Sequence, residues 1–130
     1  MPIRVCIENE SSVLSVIGTG QLMRREVGWA AERARELLAS EALTAILIDS
    51  TQSQKQNSPS LSGEIISGFI QAIESEIPIA YVRPICWDEA YLEQVTIRIE
   101  DIPANSRVFD TVSAARDWLC DATGCKAAPI

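Results

Sequence analysis

Residues 43–48 read Leu-Thr-Ala-Ile-Leu-Ile, an almost wholly apolar run that decides the fold class. A strand that is apolar on both faces is typical of the centre of a sheet covered on both sides. Two shorter apolar runs follow along the chain, at 77–82 and 107–109. We therefore expect these three segments to lie side by side in one layer, screened from water by helices.

The flanking segments predict the rest of this layer and its covering helices. The alternating run 2–9 and the β-rich run 13–17 are close enough in sequence to form an antiparallel hairpin. Four segments have the apolar spacing of amphipathic helices, and these are 22–40, 59–75, 87–99 and a last one that begins at Asp110 or Thr111 and ends near Gly124. The element order β-β-α-β-α-β-α-β-α predicts an α/β domain with a mixed five-stranded sheet, spanning residues 1–121 and followed by a tail at 122–130.

Local signals add expectations about where these elements begin and end. Asp49 is expected to end the central strand, and the polar residues 50–58 are expected to form a loop. Thr19 is a candidate N-cap of the first helix, and Ser58 or Ser60 of the second. The alternation at 95–99 leaves a strand open as an alternative to the end of the third helix.

The composition excludes several classes of function. The chain has 130 residues and a net charge of −7, which disfavours binding to nucleic acid or to anionic lipid surfaces. No apolar run approaches the roughly 20 residues that span a bilayer, and no secretory signal is evident, so we expect a cytoplasmic protein. There is no histidine, which removes Ser-His-Asp and Cys-His catalysis and the common histidine metal sites. We expect no enzymatic activity, no cofactor and no metal.

The four cysteines lack the spacing of a metal or redox motif. They are Cys6, Cys86, Cys120 and Cys125, none of them in a CxxC pair. We expect small buried apolar residues and one loose thiol in the tail, all reduced.

Three segments resemble the SpoIIAA-like branch of the STAS fold over roughly residues 1–121. The strand Ala45-Ile-Leu-Ile-Asp49 looks like the central strand of that family, and Ile79-Ala-Tyr-Val82 looks like its next parallel strand. The ending from Arg107 to Leu119, with Phe109 and the pair Trp118-Leu119, looks like its final strand and helix. The resemblance implies a non-catalytic domain that recognises a partner.

The resemblance also implies two specific sites. Antagonists of anti-sigma factors in this family carry a phosphorylated serine in a turn before a helix, and Asp49-Ser50-Thr51 looks like a fragment of that turn. A solvated turn in which Asp49 accepts backbone hydrogen bonds is the alternative. Lipid-binding proteins of similar topology imply a lid, for which the second helix is the candidate through Leu61, Ile65, Phe69 and Ile73. Simple coverage of the sheet by this helix is the other interpretation.

Ligands of open α/β sheets bind at the carboxyl ends of the parallel strands. The residues predicted at that rim, as a site for a ligand or partner, are Asp49, Ser50, Thr51, Arg83, Trp87 and Asp110. Arg83 suits an anionic head group, with an ion pair to Asp49 or Asp110 as the alternative.

Two functional hypotheses follow. The first is a non-catalytic binding or regulatory domain of the SpoIIAA-like type, with a protein partner or self-association through the edge strand 2–8. The alternative is a small carrier or sensor of an apolar or amphipathic ligand, with or without membrane association. A closed core favours the partner surface, whereas a deep apolar cavity beneath residues 50–75 favours the ligand.

Overall fold

The computed structural model of the chain is an α/β protein with five strands and four helices in the predicted order. It describes residues 3–8, 12–21, 23–54, 56, 58–73, 76–98 and 105–123. The strands are β1 (Ile3–Ile7), β2 (Val13–Gly20), β3 (Ala45–Ser53), β4 (Ile79–Val82) and β5 (Ser106–Phe109), and the helices are α1 (Arg24–Ser40), α2 (Pro59–Ile73), α3 (Glu89–Arg98) and α4 (Val112–Thr123).

The five strands form one mixed sheet in the order β1-β2-β3-β4-β5. β1 and β2 pair antiparallel, which confirms the predicted hairpin, and the three other pairs are parallel. β3 lies at the centre, flanked by β2 and β4. The three apolar runs at 43–48, 77–82 and 107–109 therefore do contribute neighbouring strands to one layer.

The sheet is covered on both faces, as the apolar composition of β3 predicts. Ile46 and Ile48 pack into the larger core cluster, beneath α1, α2 and α3. Ala45 and Leu47 point the other way, into a smaller cluster that includes Leu119 of α4. This division follows from the alternation of side chains along a strand.

The predicted loop at 50–58 is wrong over its first four residues, because β3 continues to Ser53. The extension pairs with the end of β2, where Thr19 lies opposite Gln52 and Gly20 opposite Ser53, after a shift of register. A polar sequence remains extended here because the neighbouring strand supplies the backbone hydrogen bonds. Gly20 has a φ of 67°, a left-handed conformation that suits glycine at the end of β2.

The helix starts were predicted with mixed success. Thr19 does not cap α1, since it belongs to β2, and the N-cap position is taken by Met23 without a side-chain hydrogen bond. Ser58 caps α2, with its Oγ accepting a hydrogen bond from the Leu61 amide at 3.1 Å. Thr111 caps α4 in the same way through the Ala114 amide.

The third helix is confirmed over Glu89–Arg98, so the alternative of a strand is wrong for residues 95–98. The amide of Tyr91 donates to Asp88 Oδ1 at 2.8 Å, which caps this helix. Predictions that fell on Leu22, Ile99 and residues 124–130 concern positions outside the described residues. Within the described ranges, no helix combines the length and the apolar character needed to cross a membrane.

The cysteines differ from the sequence expectation. Cys6 and Cys86 are free but exposed rather than buried. Cys120 is disulfide-bonded rather than reduced, with a partner outside the described residues.

Candidate functional site

A cavity lies between the sheet and the helices α1 and α2, near the carboxyl ends of β2, β3 and β4. Its volume is about 60 Å³, measured as the space open to the centre of a water-sized sphere. A single water molecule needs roughly 10–15 Å³ on this measure, so the cavity is several times larger than one water site. Its lining residues are Ile3, Val16, Gly18, Val27, Ile48, Ser50, Ser53, Gln54, Gln56, Ser62, Ile65, Ile66, Phe69, Tyr81, Pro84 and Trp87.

The periodicities of strands and helices bring these residues together. Val16 and Gly18 of β2 point to the same face of the sheet as Ile48 and Ser50 of β3, and Tyr81 of β4 joins them. This face forms the floor of the cavity. Its roof is the side of α2 that carries Ser62, Ile65, Ile66 and Phe69, which recur at the three- and four-residue steps of a helix.

Tyr81 and Ser50 form a neutral polar pair in the floor. Ser50 is 4% exposed and Tyr81 6%. Burial raises the pKa of Tyr81 well above its ordinary value, and the side-chain hydrogen bond with Ser50 only partly offsets this effect. The phenol therefore stays protonated, and it contributes no charge to the cavity.

Two further polar groups in the cavity wall have no hydrogen-bond partner among the described residues. They are the indole Nε1 of Trp87 and the Oγ of Ser53, both buried. Trp87 is 5% exposed and Ser53 6%. Buried polar groups in native proteins are nearly always hydrogen-bonded, so each unpartnered group calls for an explanation.

The loop after β4 places Trp87 in the wall, and Arg83 holds this loop. Its guanidinium donates to the carbonyl oxygens of Pro84 and Trp87 at 3.3 and 3.0 Å. Its Nε also pairs with Asp110 at 2.8 Å. Arg83 thus forms the ion pair that was the alternative to binding an anionic head group.

The predicted rim is divided between the two faces of the sheet. Ser50 and Trp87 line the cavity, whereas Asp49 and Thr51 alternate with Ser50 and point away from it. Asp49 Oδ1 accepts hydrogen bonds from the amide and the hydroxyl of Thr51, at 3.0 and 2.7 Å. Ser50 is buried within a strand, a position that a kinase cannot reach without local unfolding.

The four residues predicted for a lid also separate. Ile65 and Phe69 line the cavity, and Ile73 is buried in the larger core cluster. Leu61 is half-buried and is not among the lining residues. α2 therefore roofs the cavity with the side that carries Ile65 and Phe69, and Ile73 anchors its end in the core.

Contacts at both sides hold α2 in place. Arg24 of α1 pairs with Glu64 at 3.0 Å, although both side chains are largely exposed. On the other side, the hydroxyls of Ser62 and Tyr91 lie 2.7 Å apart. Tyr91 also donates to the backbone carbonyls of Gln56 and Ser58, so α3 fastens the start of α2.

Sequence reasoning missed several residues of the cavity. The sequence predicts Ser53, Gln54 and Gln56 as loop residues, and it gives no sign that Ser62 and Tyr81 line a cavity. Continued alternation from Ile48 through Ser50 was a usable signal that β3 extends along the same face. The register shift that brings Ser53 into the wall left no such signal.

Comparisons with known proteins add little to this geometry. The sequence matches no protein-family model, and no curated protein matches it significantly. Among solved structures, a lipoprotein from Streptococcus agalactiae is similar with a TM-score of 0.44 and 11% identity, over 84% of this chain and 49% of that one. The chain thus spans about half the length of that protein. At this level of similarity the comparison carries no functional argument, and the class of protein is that defined by the chain's own fold: an α/β domain with a mixed five-stranded sheet and a cavity beneath α2.

Proposed function

We propose that this chain is a non-catalytic binding domain that takes a small apolar or amphipathic molecule into the cavity beneath α2. The observation that carries the proposal is an apolar cavity with two buried, unpartnered polar groups in its wall. Ligand pockets are typically apolar, with a few polar groups that orient the ligand. The position near the carboxyl ends of the parallel strands is also the usual one for ligands of open α/β sheets.

The volume sets the scale of the ligand. A cavity of about 60 Å³ takes a compact molecule or one end of a longer one. We propose that a larger ligand enters by displacement of α2, which makes the side chains Leu61, Ile65, Phe69 and Ile73 the moving apolar surface of a lid. The exposed pair Arg24–Glu64 opposes such a movement only weakly, because exposed ion pairs contribute about 0–1 kcal/mol.

Recognition of a protein partner, in the manner of the SpoIIAA-like proteins, is the second proposal. It is favoured by three large apolar side chains that are exposed, namely Met23, Trp29 and Ile85. Light scattering of the wild type and of Trp29→Ser tests self-association. A dimer that Trp29→Ser converts to a monomer supports a partner surface on α1.

A cytoplasmic location remains a proposal, and one structural feature opposes it. The disulfide at Cys120 is of a kind that persists mainly in oxidising compartments. Cell fractionation of the full chain distinguishes the two: recovery with the cytosol supports the proposal, and recovery outside the cytoplasmic membrane contradicts it.

Ligand binding is tested with a variant that fills the cavity. In Val16→Phe the larger side chain projects from the floor of the cavity and competes for its space. Native mass spectrometry of the gently purified wild type and NMR titration of its isoleucine methyl groups with cyclohexanone report occupancy. We expect bound mass or shifted methyl signals of Ile48 and Ile66 in the wild type, and neither in Val16→Phe.

The matched control is Ile17→Phe, which adds a similar volume at the next residue of β2, on the opposite face of the sheet. It is expected to bind like the wild type. Binding that survives in Val16→Phe, or a wild type that carries no bound mass and does not respond to cyclohexanone, contradicts the proposed function.

A further inference from the structure

We propose that the ligand is uncharged and presents an oxygen acceptor to the indole N–H of Trp87, beside the hydroxyl of Ser53. This inference rests on the proposed function and names the chemical class of the ligand. It draws on three features of the cavity: the absence of charge among its described lining residues, the hydrogen-bonding capacity of the two unpartnered atoms, and the hydrogen bonds that join the segments carrying them.

None of the described residues that line the cavity carries a charge. Ten of these sixteen are apolar or aromatic, counting Tyr81, and the others are serines, glutamines and one glycine. Among these described lining residues Tyr81 alone is ionisable, and burial keeps it protonated. A carboxylate, phosphate or ammonium group in this cavity would lose its hydration without gaining a counter-ion, which is strongly unfavourable.

The charged side chains of the predicted rim are engaged in other contacts. The Arg83 guanidinium pairs with Asp110 and donates to two carbonyl oxygens of its own loop. Asp49 lies on the opposite face of the sheet and accepts from Thr51. A charged head group would therefore have to break existing contacts to find a partner.

The unpartnered atoms define which polar group the ligand needs. An indole N–H only donates, so its partner must be an acceptor, whereas a serine hydroxyl can both donate and accept. A carbonyl, ester or ether oxygen satisfies both atoms at once. A hydrocarbon leaves both unpartnered.

Two hydrogen bonds hold Trp87 and Ser53 near each other. The thiol of Cys86, which precedes Trp87, donates to the backbone carbonyl of Ser53 at 3.4 Å. The amide of Ile85 donates to the carbonyl of Thr51 at 3.2 Å. The loop that carries Trp87 is thus attached to the end of β3 that carries Ser53, and both residues line the cavity.

A matched set of small ring compounds tests this class on the full chain. The probes are cyclohexanone, methylcyclohexane, cyclohexanecarboxylate and cyclohexylamine, titrated by NMR with observation of the isoleucine methyl and tryptophan indole signals. Methylcyclohexane is the more hydrophobic probe, so the contribution of the hydrogen bond is measured between proteins and not between probes. We expect Trp87→Phe to lose about two- to tenfold of the wild type's affinity for cyclohexanone, which is the range of one hydrogen bond, and to keep its affinity for methylcyclohexane. Of the four probes, cyclohexanone alone should move the Trp87 indole N–H signal downfield, and the two charged probes should bind at least tenfold more weakly than cyclohexanone.

The variant Trp87→Phe keeps an aromatic ring and removes the donor. It should lose affinity for cyclohexanone and keep its affinity for methylcyclohexane, while Trp29→Phe, at an exposed position of α1, should bind both probes as the wild type does. If Trp87→Phe changes the affinities for the ketone and the hydrocarbon by the same factor, or if the carboxylate or the amine binds to the wild type as well as the ketone, the ligand class is wrong while the proposed function stands. If no probe enters the cavity, the proposed function fails as well. If Trp87→Phe does not fold, the indole shift of the wild type alone decides, since a hydrogen bond moves that signal and loose apolar contact does not.

Discussion

At the scale of single residues, the cavity is defined by polar groups that remain neutral. Tyr81 is the clearest case, because its hydroxyl lies in the core and forms a hydrogen bond with another hydroxyl, that of Ser50. Burial penalises the phenolate, so the raised pKa follows from desolvation. A neutral lining of this kind favours an uncharged ligand.

This raised pKa predicts a pH dependence of stability. Above pH 10 the unfolded chain releases the Tyr81 proton while the folded chain keeps it, so the free energy of unfolding falls by up to about 1.4 kcal/mol per pH unit until the native pKa is reached. Below pH 10 the contribution is fully present. Urea denaturation between pH 8 and 11 should show a shallower alkaline decline in Tyr81→Phe than in the wild type. Equal slopes would show that Tyr81 is not buried as described.

At the scale of elements, α2 is held over the cavity by its packing, because glycine lowers the intrinsic helix propensity of its sequence. Gly68 lies on the exposed side of this helix, where an added Cβ would meet nothing within 4 Å. Glycine inside a helix costs roughly 0.5–1 kcal/mol relative to alanine. An alanine would fit at this position, so Gly68 leaves α2 less stable than the surrounding space allows.

Gly68→Ala is accordingly expected to stabilise the protein by about 0.5–1 kcal/mol, measured by urea denaturation. Gly20→Ala provides the contrast. It also has free space, but its φ of 67° strains any L side chain, so it should destabilise by about 1–2 kcal/mol. If both substitutions change the free energy of unfolding equally, the backbone conformation of the glycine does not determine the effect of adding a Cβ.

A second element-scale prediction concerns the fastening of α2 by Tyr91. Tyr91→Phe keeps the ring contact with Trp87, whose centroid lies 5.2 Å away, but removes the hydroxyl that meets Ser62 and two carbonyls. We expect a loss of about 1–3 kcal/mol and faster hydrogen exchange in the first half of α2. Ser67→Ala, which alters a hydroxyl on the exposed side of α2, should leave this exchange unchanged. Unaltered exchange in Tyr91→Phe would show that α3 does not hold the roof.

At the scale of the whole molecule, one ion pair joins the first strand segment to the last helix. Arg116 of α4 binds both carboxylate oxygens of Glu8, just after β1, at 2.9 and 2.6 Å. These residues are 108 positions apart, and the bond to Glu8 raises the pKa of Arg116 above its ordinary value.

Arg116→Gln is expected to lower the free energy of unfolding by about 0.5–1 kcal/mol, since Arg116 is half exposed and solvent screens the pair. The loss should shrink in 1 M salt. The local pair Arg33–Glu36 within α1 offers the control, and Arg33→Gln should cost no more than about 0.5 kcal/mol. A salt-independent loss in Arg116→Gln would point to packing of its aliphatic stem instead.

The sequence by itself determined the order of elements and the faces of the central strand. Short-range patterns carry this information: the apolar run at 43–48 requires cover on both faces, and the three- and four-residue spacing in α2 requires one buried side. Caps such as Ser58 were visible for the same reason, because a cap acts on amides two or three residues away.

The cavity, by contrast, depends on contacts between segments that are distant in sequence. Ser53 enters the wall because β2 pairs with the far end of β3 after a shift of register, and Trp87 enters it because Arg83 folds its loop back over that end. Asp49 and Ser50 are neighbours in sequence and yet face opposite sides of the sheet. Contacts between distant segments set the positions of Ser53 and Trp87. No local pattern in the sequence specifies that the sheet and α2 leave a cavity between them.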